Sequence, residues 1–152
     1  MKQFFKTAIV ALGVLASQAL ANVTGYWTTI DDETKDAKSV VQIYEYQGKY
    51  YGRVVELLEN KKARAATPGN PPILGMDIIW DLEKDGNEYE DGEILDPTSG
   101  KVYGCEIWRE GKNLIVRGKI AFLGRNQTWL PNTTYKAPEG AKPPVPKKPI
   151  VD

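Results

Sequence analysis

The chain has 152 residues, with 20 basic and 20 acidic side chains, one cysteine and no histidine. Without histidine, neither a Ser-His-Asp nor a Cys-His catalytic arrangement can form, and a zinc site would lack its usual ligands. The charge balance also lacks the basic excess that is typical of nucleic-acid-binding proteins. We therefore predict a protein that is not an enzyme, binds no nucleic acid and uses no metal or cofactor.

Residues 1–21 have the pattern of a cleaved secretory signal peptide. Lys2 and Lys6 precede an uncharged, mostly apolar stretch, and Ala19-Leu20-Ala21 supplies the small residues that signal peptidase requires. A permanent membrane-spanning helix needs about 20 apolar residues, which this stretch does not reach. We expect an exported protein without permanent membrane insertion, and the alternative is an N-terminal anchor helix.

The mature chain, residues 22–152, has the size of one domain. It carries 18 basic and 20 acidic residues, which gives a net charge of −2. Cys105 has no second cysteine to pair with, so no internal disulfide can form. Because Cys105 lies within a strand pattern, a small buried thiol is favoured over a reactive one.

Short β-strands follow one another along the mature chain. They are rich in Val, Ile and Tyr, and links of hairpin length such as Gln47-Gly48-Lys49 separate them. Residues 78–82 and 93–95 are weaker strand candidates, and the alternative for residues 73–82 is a short helix. The stronger predicted strands are residues 23–29, 39–46, 50–58, 102–109, 113–122 and 126–130.

Two segments fall outside this strand pattern. Residues 59–72 carry three cations and three prolines, which predicts a long exposed loop. Residues 131–152 contain six prolines and few large apolar side chains, so we expect a disordered or extended tail that adds nothing to the core. A solvated end is favoured over a segment that docks on a partner.

About eight short strands in roughly 110 residues predict an all-β fold over residues 22–130, either a sandwich or a closed antiparallel up-and-down barrel. Closure of a barrel removes the exposed strand edges that a small β-protein must otherwise protect. An eight-stranded barrel has room for a packed interior or for one small ligand. Strand count and composition do not choose between these interiors.

An ordered set of short motifs runs from Gly25 to Trp129. These motifs are residues 25–27 (GYW), 38–44 (KSVVQIY), 51–55 (YGRVV), 92 with 95–97 (LDP), 100–103 (GKVY), 114–118 (LIVRG) and 123–129 (LGRNQTW). In this order they resemble an uncharacterised family of exported bacterial proteins, domain of unknown function 2147. The resemblance implies a periplasmic or secreted bacterial protein with a lipocalin-like barrel and no assigned activity. The family usually has an arginine two residues after Trp129, where this chain has Pro131.

The chain is also similar to the lipocalins proper at the ends of the barrel. In that superfamily the tryptophan of Gly-x-Trp packs at the closed end, under an arginine from the last strand. The resemblance implies that Trp27 pairs with Arg125 or Arg117, an arrangement in which a guanidinium over an indole contributes about 0.5 to 2 kcal/mol. The residues implied in barrel closure are Gly25, Trp27, Arg125 and Trp129.

Aromatic residues and mid-strand arginines are the candidates for ligand contact. Tyrosine and tryptophan rings line pockets for amphipathic ligands, although they also fill β-cores. Arg53 and Arg117 lie in apolar strands, so each is either outward-facing or buried with a partner, and an inward arginine would hold a carboxylate or phosphate. The candidate ligand-binding residues are Tyr44, Tyr51, Arg53, Tyr103, Trp108 and Arg117.

Residues 77–96 hold nine carboxylates and one lysine. Residues 81–87 imitate the start of a calcium loop, but Glu88 stands where an apolar residue is expected and Gly92 where a bidentate glutamate is required. We therefore predict a solvated acidic hairpin and no metal site. Within the next residues, Asp96 to Gly100 form a turn by their own chemistry.

These observations favour an exported binding protein that holds a small apolar or amphipathic molecule, such as a lipid or fatty acid, in a β-barrel. The alternative is an envelope interaction protein with a filled barrel, which acts through its loops or its proline-rich tail. A third hypothesis, an enzyme that uses carboxylates or tyrosines, would need a cleft with paired carboxylates.

Overall fold

A computed structural model describes residues 22–120 and 123–152, so the predicted signal peptide lies outside the described residues. Within them, eight antiparallel strands follow chain order around a closed barrel, and β1 pairs with both β2 and β8. The predicted all-β up-and-down barrel is confirmed. The strands are β1 (Gly25–Ile30), β2 (Ala37–Tyr46), β3 (Lys49–Leu57), β4 (Asp77–Asp85), β5 (Glu88–Leu95), β6 (Val102–Glu110), β7 (Asn113–Ile120) and β8 (Leu123–Pro131).

The acidic segment forms the predicted hairpin, with strands longer than the candidates at residues 78–82 and 93–95. β4 and β5 together span most of the segment and meet at a turn in which Gly86 has a left-handed backbone, φ +61°. The helix alternative for residues 73–82 is wrong, because β4 begins at Asp77. Leu82 and Tyr89 are buried, while the charged side chains beside them point to solvent. This pattern is typical of a strand with one face exposed to solvent. None of the described residues forms a helix that is long and apolar enough to cross a membrane.

The alternation of side chains decides what faces the barrel interior. A Cβ added to Gly52 would lie 3.1 to 3.2 Å from side-chain atoms of Val41, Ile43 and Ile79. These residues therefore share the inner face, where the missing side chain of Gly52 leaves room for them. Where the strands are regular, the neighbours of these residues point outward, because successive residues of a strand alternate between its two faces. At the register shift between β3 and β4, Ile78 also reaches the interior, beside Ile79.

The two ends of the barrel differ in their connections. Tight turns join β2 to β3, β4 to β5 and β6 to β7 at one end, which we call the closed end. Longer segments, residues 31–36, 58–76 and 96–101, lie at the other end, which we call the open end. Apolar packing concentrates near the closed end, where the buried residues include Val23, Trp27, Leu82, Tyr89, Ile107 and Leu114.

The loop between β3 and β4 is more buried than the sequence predicts. Ala65 is fully buried, and Thr67 is only 5% exposed. The backbone N–H of Ala66 donates to the carbonyl of Pro97, at 2.8 Å, in the turn between β5 and β6. The expectation of a wholly exposed loop is therefore wrong, because its backbone finds hydrogen-bond partners on the neighbouring turn.

The proline-rich tail is extended, as predicted, with neither helix nor strand after Pro131. It is tied to the barrel, however. The Asn132 side chain donates to Thr28 Oγ1 at 2.9 Å, and the Tyr135 and Tyr26 rings lie 4.8 Å apart. Val151 packs against the hydrophobic core, so the expectation that the tail adds nothing to the core is wrong. Prolines lower the entropy lost on docking, because their φ is already fixed.

Candidate functional site

A cavity of about 890 Å³ lies inside the barrel and reaches the open end. Small-molecule sites typically have volumes of about 300 to 1,000 Å³ and predominantly apolar walls. The deepest walls are buried side chains, and Val54, Val116 and Trp129 are each 2% exposed. The apolar lining residues include Val54, Leu57, Ile73, Ile78, Ile94, Leu95, Tyr103, Val116 and Trp129.

A small residue on β7 helps to keep this space open. Gly118 lines the cavity, and a Cβ added there would lie 3.7 Å from Tyr103 Cβ and 3.8 Å from Ile94 Cγ2. Those are ordinary contacts, so the position tolerates a side chain, which would have to extend into the cavity. The glycine therefore leaves empty space that a larger residue would fill.

Polar groups form one stripe on the cavity wall, across the adjacent strands β8, β1 and β2. The Thr29 and Ser39 hydroxyls share a hydrogen bond of 2.8 Å, and both residues are buried. Gln127 Oε1 accepts a hydrogen bond from Trp129 Nε1 at 3.1 Å. Among the described residues, this leaves the Gln127 amide nitrogen without a protein acceptor. An amphipathic ligand would find a hydrogen-bond donor here.

The mouth of the cavity is charged, and its cations are already paired. Lys38 Nζ lies 3.0 Å from Glu59 Oε2. Arg125 Nη2 lies 2.6 Å from Asp32 Oδ2, and these contacts raise the pKa of both cations. The charged residues that line the mouth are Asp31, Asp32, Lys38, Glu59, Asp96 and Arg125, so acids outnumber cations by four to two.

Of the six predicted ligand-binding residues, Tyr103 lines the cavity. Arg53 and Tyr51 flank Gly52 on β3, and Tyr44 follows Ile43 on β2, so these three side chains face outward. The interior position expected for them is therefore corrected, because strand periodicity places them on the opposite face.

Trp108 and Arg117 also lie on the outer face, which corrects the same expectation for them. Trp108 Nε1 donates to Glu110 Oε1 at 3.5 Å, and the two residues share one face of β6. Arg117 lies beside Gly118, which faces the cavity, and Arg117 Nε is 3.5 Å from Glu106 Oε1. Gly124 has no Cβ, and the Arg117 guanidinium occupies the space that a Cβ would need.

Two of the outward residues, Arg53 and Tyr44, bind a carboxylate that the sequence analysis does not single out. Asp77 is 1% exposed, and Arg53 binds it with Nε at 2.8 Å and Nη2 at 3.2 Å. Tyr44 donates its hydroxyl to Asp77 Oδ2 at 2.9 Å. Burial and the charge of Asp77 raise the pKa of Tyr44. Burial alone would lower the pKa of Arg53, but its hydrogen bond to Asp77 and the charge of that carboxylate outweigh this effect and raise it. The sequence signal for this buried carboxylate is that Asp77 directly precedes the apolar residues 78–80.

At the closed end, Trp27 pairs with Arg109. The Arg109 guanidinium carbon lies 5.4 Å from the Trp27 ring centre, and Trp27 Nε1 donates to the Val23 carbonyl at 2.9 Å. Arg109 also donates to the carbonyls of Asn22, at 3.1 Å, and Gly111, at 3.4 Å. These bonds join the start of β1 to the turn after β6.

The implied pairing of Trp27 with Arg125 or Arg117 is therefore wrong. β8 runs antiparallel to β1, so Arg125, near the start of β8, lies at the open end. Trp129 forms part of the cavity wall rather than the closure. Gly25 begins β1 with φ +133°, a backbone conformation that favours glycine.

The acidic hairpin and the lone cysteine show no reactive arrangement. No group of three or more metal-ligating side chains occurs in the described part of the chain. Cys105 is buried, and burial raises the pKa of its thiol. The buried thiol expected from the strand pattern is confirmed.

Comparison with known proteins now places the chain. A family model described as "Uncharacterized protein conserved in bacteria (DUF2147)" matches residues 25–130. The chain belongs to this family. The resemblance read from the ordered motifs is thereby confirmed.

The lipocalin-like fold of this DUF2147 chain is confirmed by a solved structure. That structure is described as protein HP1028 from Helicobacter pylori, belonging to the lipocalin family. The two chains are 21% identical with a TM-score of 0.63, and the match covers 74% of this chain and 84% of that one. A search of the curated proteins gave no match.

One departure from the family pattern has a structural counterpart. Pro131 pairs with Trp27 across β8 and β1, at the position where the resemblance implies an arginine. In this DUF2147 chain the cation over Trp27 comes instead from Arg109 on β6. Sequence spacing alone does not reveal this exchange, because β6 and β1 are distant along the chain.

Proposed function

We propose that this DUF2147 protein is an exported binding protein that holds one small amphipathic molecule in its barrel, and that it catalyses no reaction. The observation that carries this proposal is the cavity of about 890 Å³, with an apolar interior and a polar mouth. A lipocalin-like barrel supports it, since eight-stranded barrels of this kind can enclose one small ligand.

The cavity lining suggests how the ligand lies. Its apolar part would contact Val54, Val116 and Trp129, where each buried methylene contributes about 0.8 kcal/mol. Its polar part would lie towards the Gln127 amide or the mouth. An apolar interior with few polar groups fixes orientation more than it fixes chemical identity.

Charge at the mouth favours one type of polar end. Lys38 and Arg125 are both bound to carboxylates, and the remaining mouth charges are acidic. A fatty-acid carboxylate would meet like charges and no unpaired cation among the described lining residues. We therefore propose a ligand with a neutral or cationic polar end, such as a neutral lipid, in preference to a fatty acid.

The alternative, an interaction protein with a filled barrel, lacks support from the interior. A filled barrel would pack at about the density of other protein cores. The cavity beside Gly118 shows that side chains do not fill the interior in this way.

The test is native mass spectrometry of the protein purified from its own host without denaturation. We expect a species heavier than the polypeptide by one small molecule, which organic extraction releases and which disappears after unfolding and refolding. A polypeptide that carries nothing when purified, and that binds no neutral or cationic amphiphile added afterwards, would overturn the proposal.

A further inference from the structure

The C-terminal tail ends its path on the outer face of β3 and β4. Arg53 Nη2 donates to the carbonyl of Val145 at 2.7 Å, and the backbone N–H of Lys147 donates to Asp77 Oδ2 at 2.8 Å. Lys148 forms an ion pair with Asp81. Three tail residues are thus held by three charged side chains of the barrel.

The hydrogen bonds from Arg53 and to Asp77 contact the tail backbone on both sides of Pro146. Arg53 binds the carbonyl that precedes Pro146, and Asp77 binds the N–H that follows it. Proline fixes φ near the extended value and has no N–H of its own, so an extended segment presents these two groups with little loss of entropy. The geometry fits an extended segment with a proline at this position.

The barrel side of the contact is a built site. Asp77 is 1% exposed and is bound by both Arg53 and Tyr44, which hold its carboxylate in place. The Tyr44 and Tyr51 rings are stacked with centres 5.5 Å apart, and Tyr51 donates to Asp81 Oδ1 at 3.4 Å. Aromatic side chains are also typical of surfaces that bind proline-rich segments.

The charges are complementary. The Asp81 carboxylate pairs with the ammonium of Lys148, whereas Lys147 is held through its backbone N–H and Asp77 is already paired with Arg53. Hydrogen bonding to Asp81 raises the pKa of Lys148, so this lysine keeps its charge in the contact. An acidic segment would lose the ion pair and meet like charges.

We propose that the outer face of β2, β3 and β4 is a peptide-binding site for an extended segment of the type Val-Pro-Lys-Lys, and that the chain's own tail is its intramolecular ligand. A tethered segment has an effective concentration on the order of millimolar, so the tail excludes a second peptide of the same chemistry until it is displaced. The site lies outside the barrel and does not depend on the proposed cavity ligand.

The test uses the full chain with Lys147→Pro, which removes the N–H that Asp77 accepts and keeps the tail extended. Lys142→Pro is the matched control, because Lys142 makes no hydrogen bond or ion pair among the described residues. A fluorescent peptide of residues 142–152 is titrated into the unaltered chain and both variants. Digestion by a protease that cleaves before Ile150 or Val151 reports release of the tail.

We expect Lys147→Pro to expose its tail to digestion at least 10-fold faster, and to bind the peptide at least 10-fold tighter than the unaltered chain. The Lys142→Pro variant should behave as the unaltered chain does, and a peptide with Lys148→Glu should bind at least 10-fold more weakly. A tail that stays resistant in Lys147→Pro would overturn the proposal. So would a released tail without peptide binding at millimolar concentration.

Discussion

At the scale of single residues, Trp27 combines a predictable position with an unpredictable partner. Gly25 and Trp27 identify the start of the barrel from sequence, and both lie there in the structure. The guanidinium over Trp27 belongs to Arg109, which is 82 positions later in the chain. Local patterns assign a residue to a strand face, but they do not reveal which distant side chain meets it.

We expect Arg109→Ala to lower the free energy of unfolding by about 2 kcal/mol, because it removes a cation–π contact and hydrogen bonds to two backbone carbonyls. Urea unfolding monitored by tryptophan fluorescence measures the change. Arg125→Ala is the comparison, since its ion pair with Asp32 is exposed and screened by solvent. Equal destabilisation by the two substitutions would contradict the assignment of Arg109 to barrel closure.

At the scale of elements, turn chemistry is predictable and loop docking is not. Asp96 accepts hydrogen bonds from Thr98 N at 2.9 Å and Ser99 Oγ at 3.0 Å, and Gly100 has φ +76°, as the turn sequence predicts. The turn also supports the long β3–β4 loop, because a Cβ on Gly100 would overlap the carbonyl of Ala66. That contact joins residues far apart in sequence, so composition of the loop gives no sign of it.

Gly100→Ala should therefore lower the free energy of unfolding by more than an alanine substitution at another glycine with a left-handed backbone. The matched control is Gly86→Ala, because Gly86 has φ +61° and open space around it. Backbone strain alone should lower the free energy of unfolding of this variant by about 1 to 2 kcal/mol. We expect Gly100→Ala to lower the free energy of unfolding by about 3 kcal/mol in total, because Ala66 must also move. Urea unfolding gives both values, and hydrogen exchange at the Ala66 amide should accelerate in Gly100→Ala only. Identical values for the two variants would show that the loop does not rest on this turn.

The hairpin of β4 and β5 shows where strand prediction loses strength. Its eight carboxylates reduce apparent strand propensity, yet residues such as Leu82 and Tyr89 are buried on the inner side. Tertiary packing outweighs propensity in sheets. The same hairpin provides Asp77 and Asp81, so the most polar part of the sequence anchors the tail.

At the scale of the whole molecule, the eight strands and their order follow from period-two patterns and turn residues. The interior does not, because a cavity is the space left after inward side chains from all strands meet. Tyr103 alone among the six candidate ligand residues lines it. Mid-strand arginines such as Arg53 looked suited to a ligand head group, but an outer-face carboxylate satisfies them instead.

The tail illustrates the same limit. Proline content predicts its extended backbone but not its docking, which depends on how Arg53 and Asp77 are placed by two different strands. The molecule thus offers two separate surfaces, an inner cavity and an outer peptide site. The first is central to the proposed function.

The most direct test of that function is titration of a neutral hydrophobic fluorophore, N-phenyl-1-naphthylamine, into three proteins. These are the unaltered chain, Gly118→Phe, which places a ring in the cavity, and Thr128→Phe, which places the same ring on the exposed outer face. We predict saturable binding of one probe to the unaltered chain and to Thr128→Phe, with affinity at least 10-fold lower in Gly118→Phe. Equal probe binding by the two variants, or no saturable binding by any of the three, would contradict a ligand-holding barrel.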